Sequence, residues 1–216
     1  MDDIDRLDKS EIHAVFKLVK LTADFDHTAY VLAFDDIMVA SALHEKYAAG
    51  KPEAGFSFLE KIVQVPLNLP HAERIALRRL CFQSVDQALA DSQTILNDQQ
   101  VQTFVRQFVD GLEICLRTPR MCKRYGNALS FALPILKGEA HPVDLMLIEG
   151  IRVFYPRVYA VVRENPDAFQ GTFEHYGNTD ELKERTQALL AGAVDDLEPR
   201  QRESVTSLLK TLFPRL

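Results

Sequence analysis

The run Tyr30-Val31-Leu32-Ala33-Phe34, closing on Asp35-Asp36, constrains the fold of this chain more than any other stretch. An apolar run without alternation reads as a strand buried on both faces, as in a parallel sheet. A second extended segment, Gln64-Val65-Pro66-Leu67-Asn68-Leu69-Pro70, carries prolines that confine it to an edge or rim. A two-stranded sheet is marginal in water, and a parallel sheet needs both faces covered. The sequence therefore predicts an α/β piece over residues 1–70 whose sheet is incomplete, with strands missing upstream.

The remainder reads as helix. Residues 71–91, 98–117 and 119–137 predict three helices, and Val101, Phe104, Val105, Phe108 and Leu112 form an apolar stripe on the second. Pro142 to Phe154, Pro156 to Arg163, Thr179 to Ala191 and Pro199 to Phe213 continue the pattern, with proline at the first helical position of three of them. Upstream, Asp8 with Glu11 resembles a capping box ahead of Ile12, Val15, Phe16 and Val19. Asp36 to Ala48 predicts a helix stopped by Gly50 and Pro52, and Phe56 to Val63 a shorter one. Residues 164–178, with Pro166, Gly171 and Gly177, predict a linker. The chain thus splits into an α/β piece at 1–70 and an all-helical piece at 71–216.

Charge and cysteine usage narrow the function classes. The 31 acidic against 25 basic residues, a net charge of -6, argue against a general nucleic-acid surface. Cys81, Cys115 and Cys122 include no CxxC pair and predict buried thiols in a reducing compartment. No apolar run approaches the ~20 residues that cross a bilayer, and the acidic start is not a signal peptide. A cytoplasmic protein is the expectation.

Three groups of residues suggest chemistry. Asp2, Asp3 and Asp5 sit together at the start, followed by Arg6. One such carboxylate can hold magnesium, which takes one or two from protein, and its neighbour can orient or deprotonate an attacking water. An acidic start that merely caps the first helix would look the same. Asp35 ends the apolar run, where ligands bind in open sheets, and it also suits a cap for the next helix. In Arg117-Thr118-Pro119-Arg120-Met121-Cys122-Lys123-Arg124, Thr118 is a natural N-cap and Pro119 suits the first position. Arg120, Lys123 and Arg124 then oppose the helix dipole at a cost of ~0.3–1 kcal/mol each. That arrangement fits either an anion nearby or a basic surface patch.

Other motifs fail. GxxxxGK[ST] occurs nowhere, so Gly50-Lys51-Pro52 is not a phosphate loop. Gly55-Phe56-Ser57-Phe58-Leu59 lacks the second glycine of a nucleophile elbow. The histidines show no HExxH or other ligand spacing.

Asp2-Asp3-Ile4-Asp5-Arg6-Leu7, Val15 to Leu21, Tyr30 to Asp35, Phe58 to Pro70, Thr118 to Asn127, Asp144 to Ile151 and Phe154-Tyr155-Pro156 together resemble the KAP family of P-loop NTPases over roughly residues 2–170. The resemblance implies an incomplete AAA-like, STAND-related sheet fragment at 1–70 followed by a helical, winged-helix-like lid at 71–170, with a helical tail at 171–216. It implies an ATPase in which Asp2 and Asp3 are the Walker B acids holding Mg2+. Asp3, Asp35 and Arg120 would be catalytic, and Asp2, Arg6, Lys123 and Arg124 would face the nucleotide. Longer family members can carry membrane-spanning helices, and some take part in phage exclusion. The Walker A segment is absent, which costs at least three charge-assisted phosphate bonds at ~1.5–3 kcal/mol each. At ~1.4 kcal/mol per tenfold, a micromolar ATP site becomes millimolar or worse. The isolated chain is therefore expected to be inactive without its Walker A half, whether from a longer protein or from a protein partner, and an oligomer is compatible with this. The alternative is a non-enzymatic helical interaction or regulatory module built on 71–216.

Overall fold

The computed structural model describes residues 1–21, 25–47, 53–170 and 179–214. The chain divides into two compact units, Met1–Pro70 and His71–Leu216. Both are helical, and the α/β expectation is overturned: among the described residues no strand forms in either unit. In the second unit Lys137 and Ala140 form an isolated bridge. A winged-helix lid is overturned with it, because a wing is a β-hairpin.

In the first unit a 3-10 turn, Ile4–Arg6, precedes α1 (Lys9–Leu21), α2 (Asp36–Tyr47) and α3 (Glu53–Glu60). The capping box at Asp8 is present. The Asp8 carboxylate accepts from Glu11 N at 2.9 Å, while Glu11 Oε2 accepts from Asp8 N at 2.9 Å. Ile4, Ile12, Phe16, Val39, Ala40, Leu43 and Leu59 form a small core, with Leu32 and Phe34 packed against it. Phe34 meets Phe16 edge to face at 5.5 Å. The stops expected at Gly50 and Pro52 lie outside the described residues.

Tyr30–Phe34 keeps one trace of the expected strand. The Met1 ammonium donates to Val31 O at 2.8 Å, and Ala33 N donates to Met1 O at 2.9 Å. Donation to one residue and acceptance from the next but one is a parallel bridge, here between Met1 and Leu32. Around it Val31 and Ala33 are exposed while Leu32 and Phe34 are half-buried, the alternation of an extended chain. One bridge is no sheet, since a ladder needs neighbours along its whole length. Residues 64–70 are likewise outside any regular element. Val65, Leu67 and Leu69 there are 71%, 86% and 94% exposed, so this apolar row packs on nothing in its own unit.

The second unit runs α4 (Arg74–Asp91), α5 (Asp98–Gly111), a 3-10 turn (Glu113–Cys115), α6 (Pro119–Ile135), α7 (Pro142–Phe154), α8 (Pro156–Glu164), α9 (Pro166–Gln170), α10 (Thr179–Val194) and α11 (Pro199–Leu212). The helix expected over 98–117 breaks at Leu112, because the 3-10 turn carries Glu113 into the interior. There its carboxylate meets Arg78 Nη2 at 2.7 Å and Arg74 Nη2 at 3.9 Å. Phe104, Phe108 and Leu112 of the α5 stripe are buried, whereas Val101 and Val105 are exposed. Phe82, Phe104, Phe108, Tyr125 and Phe154 form a continuous aromatic row with centroids 5.2–6.4 Å apart. The Tyr125 and Tyr155 hydroxyls donate to Met146 O and Gly111 O, at 2.8 and 3.0 Å. All three cysteines are free and buried. The expected linker begins as helix α9, with Ala168 and Phe169 buried, while Gly171 and Gly177 lie outside the described residues.

Helices α4 and α6 cross at Gly126, where an added Cβ would lie 2.6 Å from Ser84 Cβ. Alanine there gains about 1 kcal/mol of helix propensity, so any net loss reads the clash. Gly126→Ala is expected to lower the unfolding free energy by about 1–2 kcal/mol net in urea titrations; no loss would contradict the close crossing.

Candidate functional site

Within the first unit the Met1–Leu32 bridge fixes a register. The two segments run in the same direction, so Asp2 and Asp3 leave the bridge at the end where Ala33 and Phe34 lead to Asp35. This brings the acidic pair and Asp35 to one end of the stub. The chain turns at once: Asp3 has φ 57, a left-handed conformation uncommon outside glycine, and Ile4 dives into the core at 2% exposure. Asp2 and Asp3 therefore stay outside while the next residue anchors them.

Each acid already has a local role. Asp2 Oδ1 accepts from Asp3 N at 2.9 Å. Asp3 Oδ1 lies 3.1 Å from Arg6 Nε, with both side chains more than half exposed, an arrangement worth ~0–1 kcal/mol. Arg6 thus pairs with the acidic cluster itself. Asp35 Oδ1 accepts from Met38 N at 2.9 Å, one of the orphan amides at the start of α2. Asp5 is half-buried within the turn.

Two adjacent exposed carboxylates are a donor set of the size magnesium takes from protein, the rest of its shell being water and phosphate. Among the described residues no group of three or more His, Cys, Asp or Glu side chains is placed to hold a metal ion.

In the second unit Thr118 caps α6, its Oγ1 accepting from Met121 N at 3.3 Å, with Pro119 at the first position. Arg120, Lys123 and Arg124 are exposed in the first turns. Among the described residues none of the three is in an ion pair. Three cations at the positive end of a helix dipole, with no carboxylate offsetting them, leave an unbalanced positive field. The structure brings these three together on one helix start.

What precedes that helix is held from two sides, and no local pattern marks either hold. Arg117 Nη2 donates to Glu198 Oε1 at 2.6 Å, which pushes the guanidinium's pKa up through that hydrogen bond. The Glu113 carboxylate, 4% exposed, binds Arg78. A glutamate flanked by Leu112 and Ile114 carries no local mark of a buried ion pair, and Arg117 is 81 residues from Glu198.

Among the described residues no helix is long and apolar enough to cross a membrane. The KAP family P-loop domain matches residues 1–136. The phage T7 exclusion protein of Escherichia coli strain K12 is 32% identical over 162 residues, covering 74% of this chain and 21% of that protein. The chain thus spans about a fifth of the length of the curated relative it matches. No solved structure matches it. With a match that takes in both the acidic end and the basic helix start, the chain belongs to the KAP family of P-loop domains.

Proposed function

We propose that this chain supplies the acids, the sensor segment and the lid of an ATP-handling module. Its turnover needs a phosphate loop from outside these 216 residues, either elsewhere in a longer protein or on a partner. The observation that carries this reading is the Met1–Leu32 register, which puts Asp2, Asp3 and Asp35 at one end of a parallel stub. Magnesium bound there with the nucleotide would neutralise phosphate charge. Asp2 would hold that cation. Asp3 orients and deprotonates the attacking water, with Arg6 as its local counter-charge, and Asp35 faces the terminal phosphate. Arg120, Lys123 or Arg124 would supply the positive charge that a transferred phosphoryl group calls for. The module would work in the cytoplasm, alone or as an oligomer.

The backbone supports an external strand. A phosphate loop of the GxxxxGK[ST] type follows a strand. The edge of 30–34 that bears Val31 and Ala33 is taken by Met1, whereas Leu32 N and Phe34 N make no hydrogen bond among the described residues. In 64–70 Pro66 and Pro70 lack the amide donor on one edge, whereas Val65, Leu67 and Leu69 keep theirs on the other. Each segment thus keeps one edge able to take a further strand. The stretch matched in the phage T7 exclusion relative is 21% of that larger protein, and a role in phage exclusion would belong to such a whole protein. The second reading, an interaction module over 71–216, is favoured by the separate and extensive core of the helical unit.

The purified chain is expected to show no Mg-dependent ATP turnover above background in a phosphate-release assay; turnover that Asp3→Asn abolishes would overturn the need for an external loop. Asp35 can be separated from its capping role by stability. Asp35→Asn keeps a side-chain cap and should cost only a few tenths of a kcal/mol, while Asp35→Ala should cost about 1 kcal/mol. If a catalytically competent assembly carrying Asp35→Asn keeps full turnover, the carboxylate serves only as a cap.

A further inference from the structure

The first unit carries a second polar site, away from the acidic end, that the ATP reading does not use. A groove of about 510 Å³ runs along α1 and is lined by Ser10, His13, Ala14, Lys17, Lys20 and Leu21, with Phe58 of α3 opposite. That volume falls within the range of small-molecule sites. The α1 residues recur at intervals of three and four, so they form one face of the helix. Lys17 and Lys20 stand on successive turns of this face, and neither is in an ion pair among the described residues. The Lys20 ammonium instead lies 5.5 Å from the centroid of the Phe58 ring. No acidic side chain is among the described lining residues. Of the nearest acids in sequence, the Asp8 carboxylate accepts from the amides of Ser10 and Glu11 and from the Ser10 hydroxyl, and Glu11 Oε2 accepts from Asp8 N. In a chain whose net charge is -6, an aromatic-walled groove with two uncompensated ammonium groups is a local reversal of sign.

We propose that this groove binds a small phosphate monoester carrying a flat ring. The dianion would sit between Lys17 and Lys20, where two ammonium groups make charge-assisted hydrogen bonds. The ring would lie on the apolar wall of Ala14, Leu21 and Phe58. The chemistry differs from that of the acidic end: it needs no divalent cation, and its charge is opposite.

The test is fluorescence titration of the full chain with 1-naphthyl phosphate in EDTA, with inorganic phosphate and 1-naphthol as separate arms. Saturable binding is expected, weaker for either fragment alone, and reduced by added salt. The double variant Lys17→Gln, Lys20→Gln should weaken it by about tenfold or more, and Phe58→Leu should weaken 1-naphthyl phosphate but not inorganic phosphate. Lys17 and Lys20 are exposed, so their replacement should leave the circular dichroism spectrum and melting temperature unchanged. Asp3→Asn should leave binding unchanged. The proposal is overturned by absence of saturation, by indifference to the lysine variant, by equal affinity for inorganic phosphate, or by loss of binding in Asp3→Asn. Failure here leaves the ATP reading standing, because the ATP assay needs magnesium and Asp3 while this titration needs neither.

Discussion

A backbone amide that can pair has to be paired or left in water, and that requirement governs the first unit. Its helices close a core around Phe16 and Leu43 without help. The extended segments do not. Residues 30–34 find one partner, Met1, along one edge, and 64–70 find none among the described residues. Everything proposed about the acidic end depends on that single parallel bridge. It sets the direction of Asp2 and Asp3 relative to Asp35, and it leaves the opposite edge of Leu32 and Phe34 bare.

Helix positions were legible because they rest on local chemistry. Thr118-Pro119, Asp8 with Glu11, and the prolines at 142, 156 and 199 each satisfy or remove orphan amides within a few residues of themselves. The strand at Tyr30–Phe34 was legible only as an intention. Its apolar run specifies burial between neighbours, and a sheet is a property of several segments at once. Asp35 shows the same limit at the site: the sequence allowed both a cap and a phosphate contact, and the cap to Met38 N is the part the fold makes by itself.

Long-range charge pairing was the least legible. Arg78 takes a buried carboxylate from Glu113, and Arg117 takes Glu198 from the cap of the last helix. Both pairs hold the turn that leads into α6, and neither partner is marked by spacing or periodicity. The result is a division of labour among basic residues on nearby positions. Arg78 and Arg117 are neutralised within the protein, while Arg120, Lys123 and Arg124 are left without carboxylates among the described residues at a helix end that already repels them. In the first unit, Arg6 is matched to Asp3 in the same way, and Lys17 and Lys20 have no carboxylate partner among the described residues.

Amide hydrogen exchange across residues 30–34, read residue by residue by NMR on the purified chain, tests the bare edge most directly. Ala33, which donates to Met1 O, is predicted to be protected, and Leu32 and Phe34 are predicted to exchange near the rate of an unstructured peptide. Slow exchange at Leu32 and Phe34 would mean that the edge is already paired within the chain, and an external strand would then have no place to bind.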